Sequence, residues 1–134
     1  MTRFFFSISF LLITLFSNAQ SLYIKGSRKG EIEKDGDVYI GGSRKGQIEV
    51  DGDVYVNGTR VGQIEKDGDV YKNGSRVGQI ESDGDVYKNG SRIGQIEPDG
   101  DIYYKGSRIG ECKGVNPKWV AAVVFFFFIE DLAY

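Results

Sequence analysis

The chain has no histidine. The commonest general base and the commonest transition-metal ligand are therefore both missing. Proline is scarce, two residues against nineteen glycines, and with eight tyrosines and abundant Val and Ile this describes a turn-rich β protein and not a helical one. Neither charge is in excess, with 17 Lys and Arg against 19 Asp and Glu. A nucleic-acid or anionic-membrane partner would call for a basic surplus, so both are argued against. Long apolar runs are also lacking: Phe4 to Phe16 and Trp119 to Ile129 each fall short of the roughly 20 residues a spanning helix needs.

What is present begins with an export signal. Arg3, the apolar stretch Phe4 to Phe16, and Ser17-Asn18-Ala19 before Gln20 have the order of a secretory leader over residues 1–19, cut after Ala19. No cysteine lies near that cut, so a lipid anchor on a new amino terminus is not indicated. The expected destination is the periplasm, the cell surface or the medium. The remaining 115 or so residues suit one domain, divided into a repeat region over residues 20–114 and an apolar carboxyl-terminal segment over residues 115–134.

A unit of sixteen residues recurs through the repeat region. Asp-Gly-Asp begins at Asp35, Asp51, Asp67, Asp83 and Asp99, and Gly-Ser/Thr-Arg-x-Gly begins at Gly26, Gly42, Gly58, Gly74, Gly90 and Gly106. Asp-Gly and Asn-Gly are strong hairpin signals, because both types tolerate the positive φ of a type I′ turn. Five hairpins with Asp-Gly at their tips follow: Glu31 to Tyr39, Gln47 to Tyr55, Gln63 to Tyr71, Gln79 to Tyr87 and Gln95 to Tyr103. Within Ser75 to Ser82, Val77 and Ile80 stand three apart and would face opposite ways on a regular strand. A bulge or bend at Gly78 is expected to bring them to one side and split the segment in two. No single unit buries enough apolar surface to stand alone, so the copies must share a core. Closing the row into a ring removes two bare edges, and the partial repeats Leu22 to Gly30 and Tyr104 to Gly114 can complete each other.

The leader, the Asp-Gly-Asp-Val-Tyr and Gly-Ser-Arg-x-Gly-x-Ile-Glu units, and a tail of Trp119, Ala121, Ala122 and Phe125 to Phe128 together resemble the bacterial proteins called 5-fold beta-flower proteins. The resemblance implies an all-β fold of five short hairpin petals around a pseudo-fivefold axis. It implies no particular activity. Ile129 to Tyr134 run past the Phe cluster and depart from the pattern.

The tail is expected to cover one face or the centre of the ring. Ala121 and Ala122 favour helix while Val123, Val124 and the four Phe favour strand, and its pattern leaves both open. The Asp-Gly-Asp tips bring calcium loops to mind, but each offers two carboxylates without a distal bidentate Glu, and local backbone hydrogen bonding is the plainer role. No cofactor is expected. Arg28, Arg44, Arg60, Arg76, Arg92 and Arg108 recur beside Glu33, Glu49, Glu65, Glu81 and Glu97, which suggests a ring of salt bridges. Arg44, Arg60, Arg76, Arg92 and Arg108 could instead form a ligand-contacting rim for anionic glycans. Tyr23, Tyr39, Tyr55, Tyr71, Tyr87 and Tyr103 are expected in the core or in ring packing, with a sugar-stacking ladder as the alternative. Cys112 takes the slot of Ile32, Ile48, Ile64, Ile80 and Ile96 and is expected to be a small buried hydrophobe, with an intermolecular disulfide as the alternative. Lys29 and Lys45 give way to Val61, Val77, Ile93 and Ile109 at the same place in later units, as if the first units were wetter there or a neighbour met only the later ones.

With no catalytic constellation, the expectation is an exported, non-enzymatic structural or binding module of the bacterial envelope, with a glycan or an envelope protein as possible partner. A lectin or carbohydrate-active enzyme is a second reading, and membrane-associated assembly through the Phe-rich tail a third. A deep cleft with two unpaired carboxylates would favour the enzyme; open equivalent grooves would favour binding.

Overall fold

A computed structural model describes residues 19–134, so the leader expected over residues 1–19 lies outside the described residues save for Ala19, which opens the first strand. Among the described residues, twelve antiparallel strands close into a barrel. They are β1 (Ala19–Ile24), β2 (Ser27–Glu33), β3 (Asp37–Ile40), β4 (Ser43–Ile48), β5 (Asp53–Val56) and β6 (Thr59–Ile64), followed by β7 (Asp69–Lys72), β8 (Ser75–Ile80), β9 (Asp85–Lys88), β10 (Ser91–Ile96), β11 (Asp101–Tyr104) and β12 (Ser107–Glu111). Each strand pairs with its neighbours in sequence, and β12 returns to β1 through Tyr23↔Glu111 and Ile24↔Gly110. The two partial repeats thus complete each other, and the ring has no bare edge. All five expected hairpins have the expected register, with Glu31 opposite Tyr39, Gln47 opposite Tyr55, Gln63 opposite Tyr71, Gln79 opposite Tyr87 and Gln95 opposite Tyr103. The joined ends add a sixth strand pair to those five.

The two kinds of turn alternate between the two ends of the barrel, and they differ in chemistry. At one end Lys25-Gly26, Gly41-Gly42, Asn57-Gly58, Asn73-Gly74, Asn89-Gly90 and Lys105-Gly106 have positive φ at both residues, as a type I′ turn requires. At the other end the expected type I′ geometry is replaced by a three-residue loop. Gly52 N–H donates to Glu49 C=O, only the glycine has positive φ, and the Asp51 carboxylate accepts from the Asp53 N–H at 3.0 Å. A carboxylate that ties down its own loop leaves its backbone at ordinary φ and gives the left-handed position to glycine alone.

The bulge expected near Gly78 is there, but the strand is not split. Val70 faces Gly78 and Tyr71 faces Arg76, so Val77 is the extra residue of a continuous β8. The extra residue resets the alternation, so Gly78 and Ile80 both point inward while Val77 lies half-buried against the core.

The tail fills the barrel, and its conformation is helical. α1 (Pro117–Ala121) starts at the Asn116 cap, whose side chain accepts from Lys118 N–H. A π-helical stretch over Ala122–Phe127 follows, closed by Phe128 N–H to Val123 C=O, and α2 (Ile129–Leu132) completes it. Val120 to Phe126, Phe128 and Leu132 are buried among the inward Ile and Val rows of the barrel. Successive Phe rings visit every second strand: Phe125 lies over Gly94 of β10, Phe126 over Gly78 of β8, Phe127 over Gly62 of β6 and Phe128 over Gly46 of β4. An α-helix turns about 100° per residue, whereas six strand pairs divide the circle into steps of about 60°. The wider π-helix turns less per residue and so narrows that mismatch, letting neighbouring side chains address neighbouring repeats.

Candidate functional site

Tyrosine follows valine or isoleucine along each short strand, and the regular alternation puts the aliphatic residue inside. Val38, Val54, Val70, Val86 and Ile102 are fully buried, while Tyr39, Tyr55, Tyr71, Tyr87 and Tyr103 stand half-buried on the outer wall. The core position expected for the tyrosines is thereby corrected. A strand that buries Val on one side must show the next residue on the other.

The arginines lie on the same outer wall, but their partners are aspartates and not the glutamates expected. Arg44, Arg60, Arg76, Arg92 and Arg108 donate to Asp37, Asp53, Asp69, Asp85 and Asp101 at 2.9–3.0 Å. Each bond draws the guanidinium pKa further above its ordinary value. Arg28 differs because Ser21 stands where the others have Asp, and it pairs with Glu31 at 3.4 Å and with the Ser21 hydroxyl at 3.0 Å. Arg108 also reaches Glu111 at 3.2 Å.

The glutamates are drawn into the tips instead. Glu33, Asp35 and Asp37 converge within 4.8 Å, and the same triad recurs at Glu49, Glu65, Glu81 and Glu97 with their two aspartates. Each tip therefore gathers three carboxylates, one more than its Asp-Gly-Asp signature contains. Of these, one aspartate is engaged by a backbone N–H and the other by arginine. Partial loss of solvent, then the charges of Asp35, Asp37 and Glu31, hold the Glu33 carboxyl above the usual range.

Three adjacent grooves open on the outer wall, and they repeat one another. Arg60, Val61, Gln63 and Glu65 of the β6 arm face Tyr71 and Asn73 of the β7 arm around a space of 510 Å³. Arg76, Val77, Gln79 and Glu81 face Tyr87 and Asn89 around 280 Å³, and Arg92, Ile93, Gln95 and Glu97 face Tyr103 and Lys105 around 430 Å³. Three of the five rim arginines thus line grooves, together with tyrosine, glutamine and a β-branched floor that were not grouped by sequence reasoning. The signal available for that grouping was the change from Lys29 and Lys45 to Val61, Val77 and Ile93.

Cys112 is buried and takes its place in the ring of isoleucines, as expected. Its thiol pKa is pushed up to about 12, chiefly by burial and then by Glu111. Among the described residues no helix is long and apolar enough to cross a membrane. The strands, of four to seven residues, are also shorter than the roughly nine to eleven of a spanning strand, and their outer wall carries Arg–Asp pairs. No family model, no curated protein and no solved structure matches this chain.

Proposed function

We propose that this protein is an exported, non-enzymatic binding module of the bacterial envelope that holds a polar, repetitive ligand on the outside of its barrel. The observation that supports this is the threefold recurrence of one groove lining, Arg, β-branched floor, Gln, Glu and Tyr, on adjacent hairpins. Repetition suits avidity better than catalysis, since a reaction needs one constellation of matched acid and base. The aspartates nearest the grooves are held by arginine or by backbone, so one glutamate per groove is the carboxylate left for chemistry, where a glycosidase uses two. A glycan is the preferred partner, with an envelope protein as the second.

The likeness to the 5-fold beta-flower proteins belongs to this reading, with the five Asp-Gly hairpins as petals. The membrane-assembly reading is the weaker one, because the Phe-rich tail is occupied with the barrel interior. A glycan array and an envelope pull-down with the purified protein test the proposal. Retention of a saccharide or envelope component, lost on Tyr71→Ala with Tyr87→Ala, is the expected result. Turnover of a glycan, or capture of nothing by either method, would overturn it. Cell fractionation tests export: recovery from the cytoplasm would remove that part.

A further inference from the structure

Resting on that binding role, we infer that the grooves of β6–β7, β8–β9 and β10–β11 form one continuous track for an uncharged linear oligosaccharide, and that the same wall turns acidic glycans away. Charge decides the second half. Each groove presents one guanidinium, and that guanidinium is already tied to an aspartate of the preceding hairpin, Arg76 to Asp69 and Arg92 to Asp85. At the tip end of each groove stands a triad of carboxylates, Glu65-Asp67-Asp69, Glu81-Asp83-Asp85 or Glu97-Asp99-Asp101. Over residues 58–105 seven cations, Lys66, Lys72, Lys88 and Lys105 among them, stand against nine carboxylates, and with the arginines already paired the wall is weakly negative. A uronate or phosphate entering there meets repulsion and not the free arginine rim that the spacing of arginines suggests.

The lining favours an uncharged sugar. Val61, Val77 and Ile93 are half-buried and give each floor an apolar spot beside the amphipathic ring of Tyr71, Tyr87 or Tyr103. Gln63, Gln79 and Gln95 each offer an amide that both donates and accepts, which matches hydroxyls of either sense. Neighbouring grooves are two strands apart, about 10 Å at the backbone and more at the outer surface. That repeat is comparable to a disaccharide, so a hexasaccharide has the reach to occupy all three. The track stops at β4, where Lys45 replaces the β-branched floor residue.

The test is calorimetric titration of the purified protein with cello-, chito- and manno-oligosaccharides as disaccharides, tetrasaccharides and hexasaccharides, with an oligogalacturonate series as the acidic control. In at least one uncharged series, affinity is expected to climb with length and to gain about tenfold or more between disaccharide and hexasaccharide. The oligogalacturonates are expected not to bind. Val77→Lys places in the middle groove the residue that β2 and β4 already carry, and it should return the hexasaccharide to the disaccharide affinity while the thermal transition stays cooperative. Equal affinity at every length overturns the track and leaves the binding role standing. Preference for oligogalacturonate overturns the charge argument. If no oligosaccharide binds while the pull-down still captures an envelope protein, the inference fails and the broader reading survives; if both are empty, both fail.

Discussion

The ring edge of Phe126 lies against the bare backbone of Gly78: a Cβ built on that glycine would stand 2.6 Å from Phe126 Cε1 and would also run into the Tyr87 carbonyl. The glycine is there to make room, both for the neighbouring strand and for the helix inside. Gly78→Ala is expected to lower stability by about 1–3 kcal/mol or more, as overpacking does. Combining it with Phe126→Leu should recover part of that loss, since one obstacle moves and the backbone carbonyl does not. Urea titrations of the four chains of the cycle measure the coupling, and strict additivity would show that ring and glycine do not share the space.

Among the described residues, nine of the twenty-three buried apolar ones belong to the tail. A chain ending at Gly114 would leave the barrel without its filling, and short strands cannot collapse far enough to replace it. Such a chain is expected to show no cooperative thermal transition by circular dichroism. A synthetic peptide of residues 115–134, added in trans, should restore one. A truncated chain that melts cooperatively by itself would mean the hairpins carry their own core.

Lysines hold carbonyls that the end of the π-helical stretch leaves without an intrahelical partner. Lys88 Nζ donates to Phe125 C=O at 3.3 Å and Lys72 Nζ to Phe126 C=O at 3.4 Å, where earlier strands have Ile40 and Val56. Lys88→Met keeps the stem and removes the donor, so a loss of about 1 kcal/mol is expected in denaturant titration. An unchanged midpoint would show that solvent serves that carbonyl equally well.

The Cys112 thiol faces the interior, near the Gln20 carbonyl at 3.9 Å. Its raised pKa means the folded chain holds the proton more tightly than the unfolded one, so the thiol contributes stability that is intact below its ordinary range and declines as pH climbs toward about 12. Native protein at mildly alkaline pH should therefore react with a thiol reagent only as fast as it opens, and at full speed in denaturant. Cys112→Val should flatten the part of the alkaline stability loss due to this group. Rapid native labelling would place the thiol at the surface, where an intermolecular disulfide becomes feasible.

How the strands pair was legible in the sequence. Turn residues at fixed offsets, Asn-Gly at one end and Asp-Gly at the other, fix hairpin register through interactions only a few residues long, and the partial repeats at the ends announce the closing pair, β12 with β1. Facing was less accessible. The bulge at Val77 adds one residue to the alternation of β8, and that single step turns Gly78 and Ile80 inward while Arg76 stays opposite Tyr71 on the outer wall. Arg76 choosing Asp69 over Glu81 follows from which carboxylate lies diagonally across the hairpin, and the third carboxylate at each tip from how the loop folds back.

The sixteen-residue copies by themselves determined an all-β ring of hairpins, because turns and registers are set locally. Only the tertiary structure decided that the tail is a helix with a π-helical middle. Phe125 to Phe127 have no intrinsic preference for that winding; they adopt it, with Phe128 as the cap, because four glycines, one on each successive strand pair, leave four spaces that a regular α-helix would address less closely.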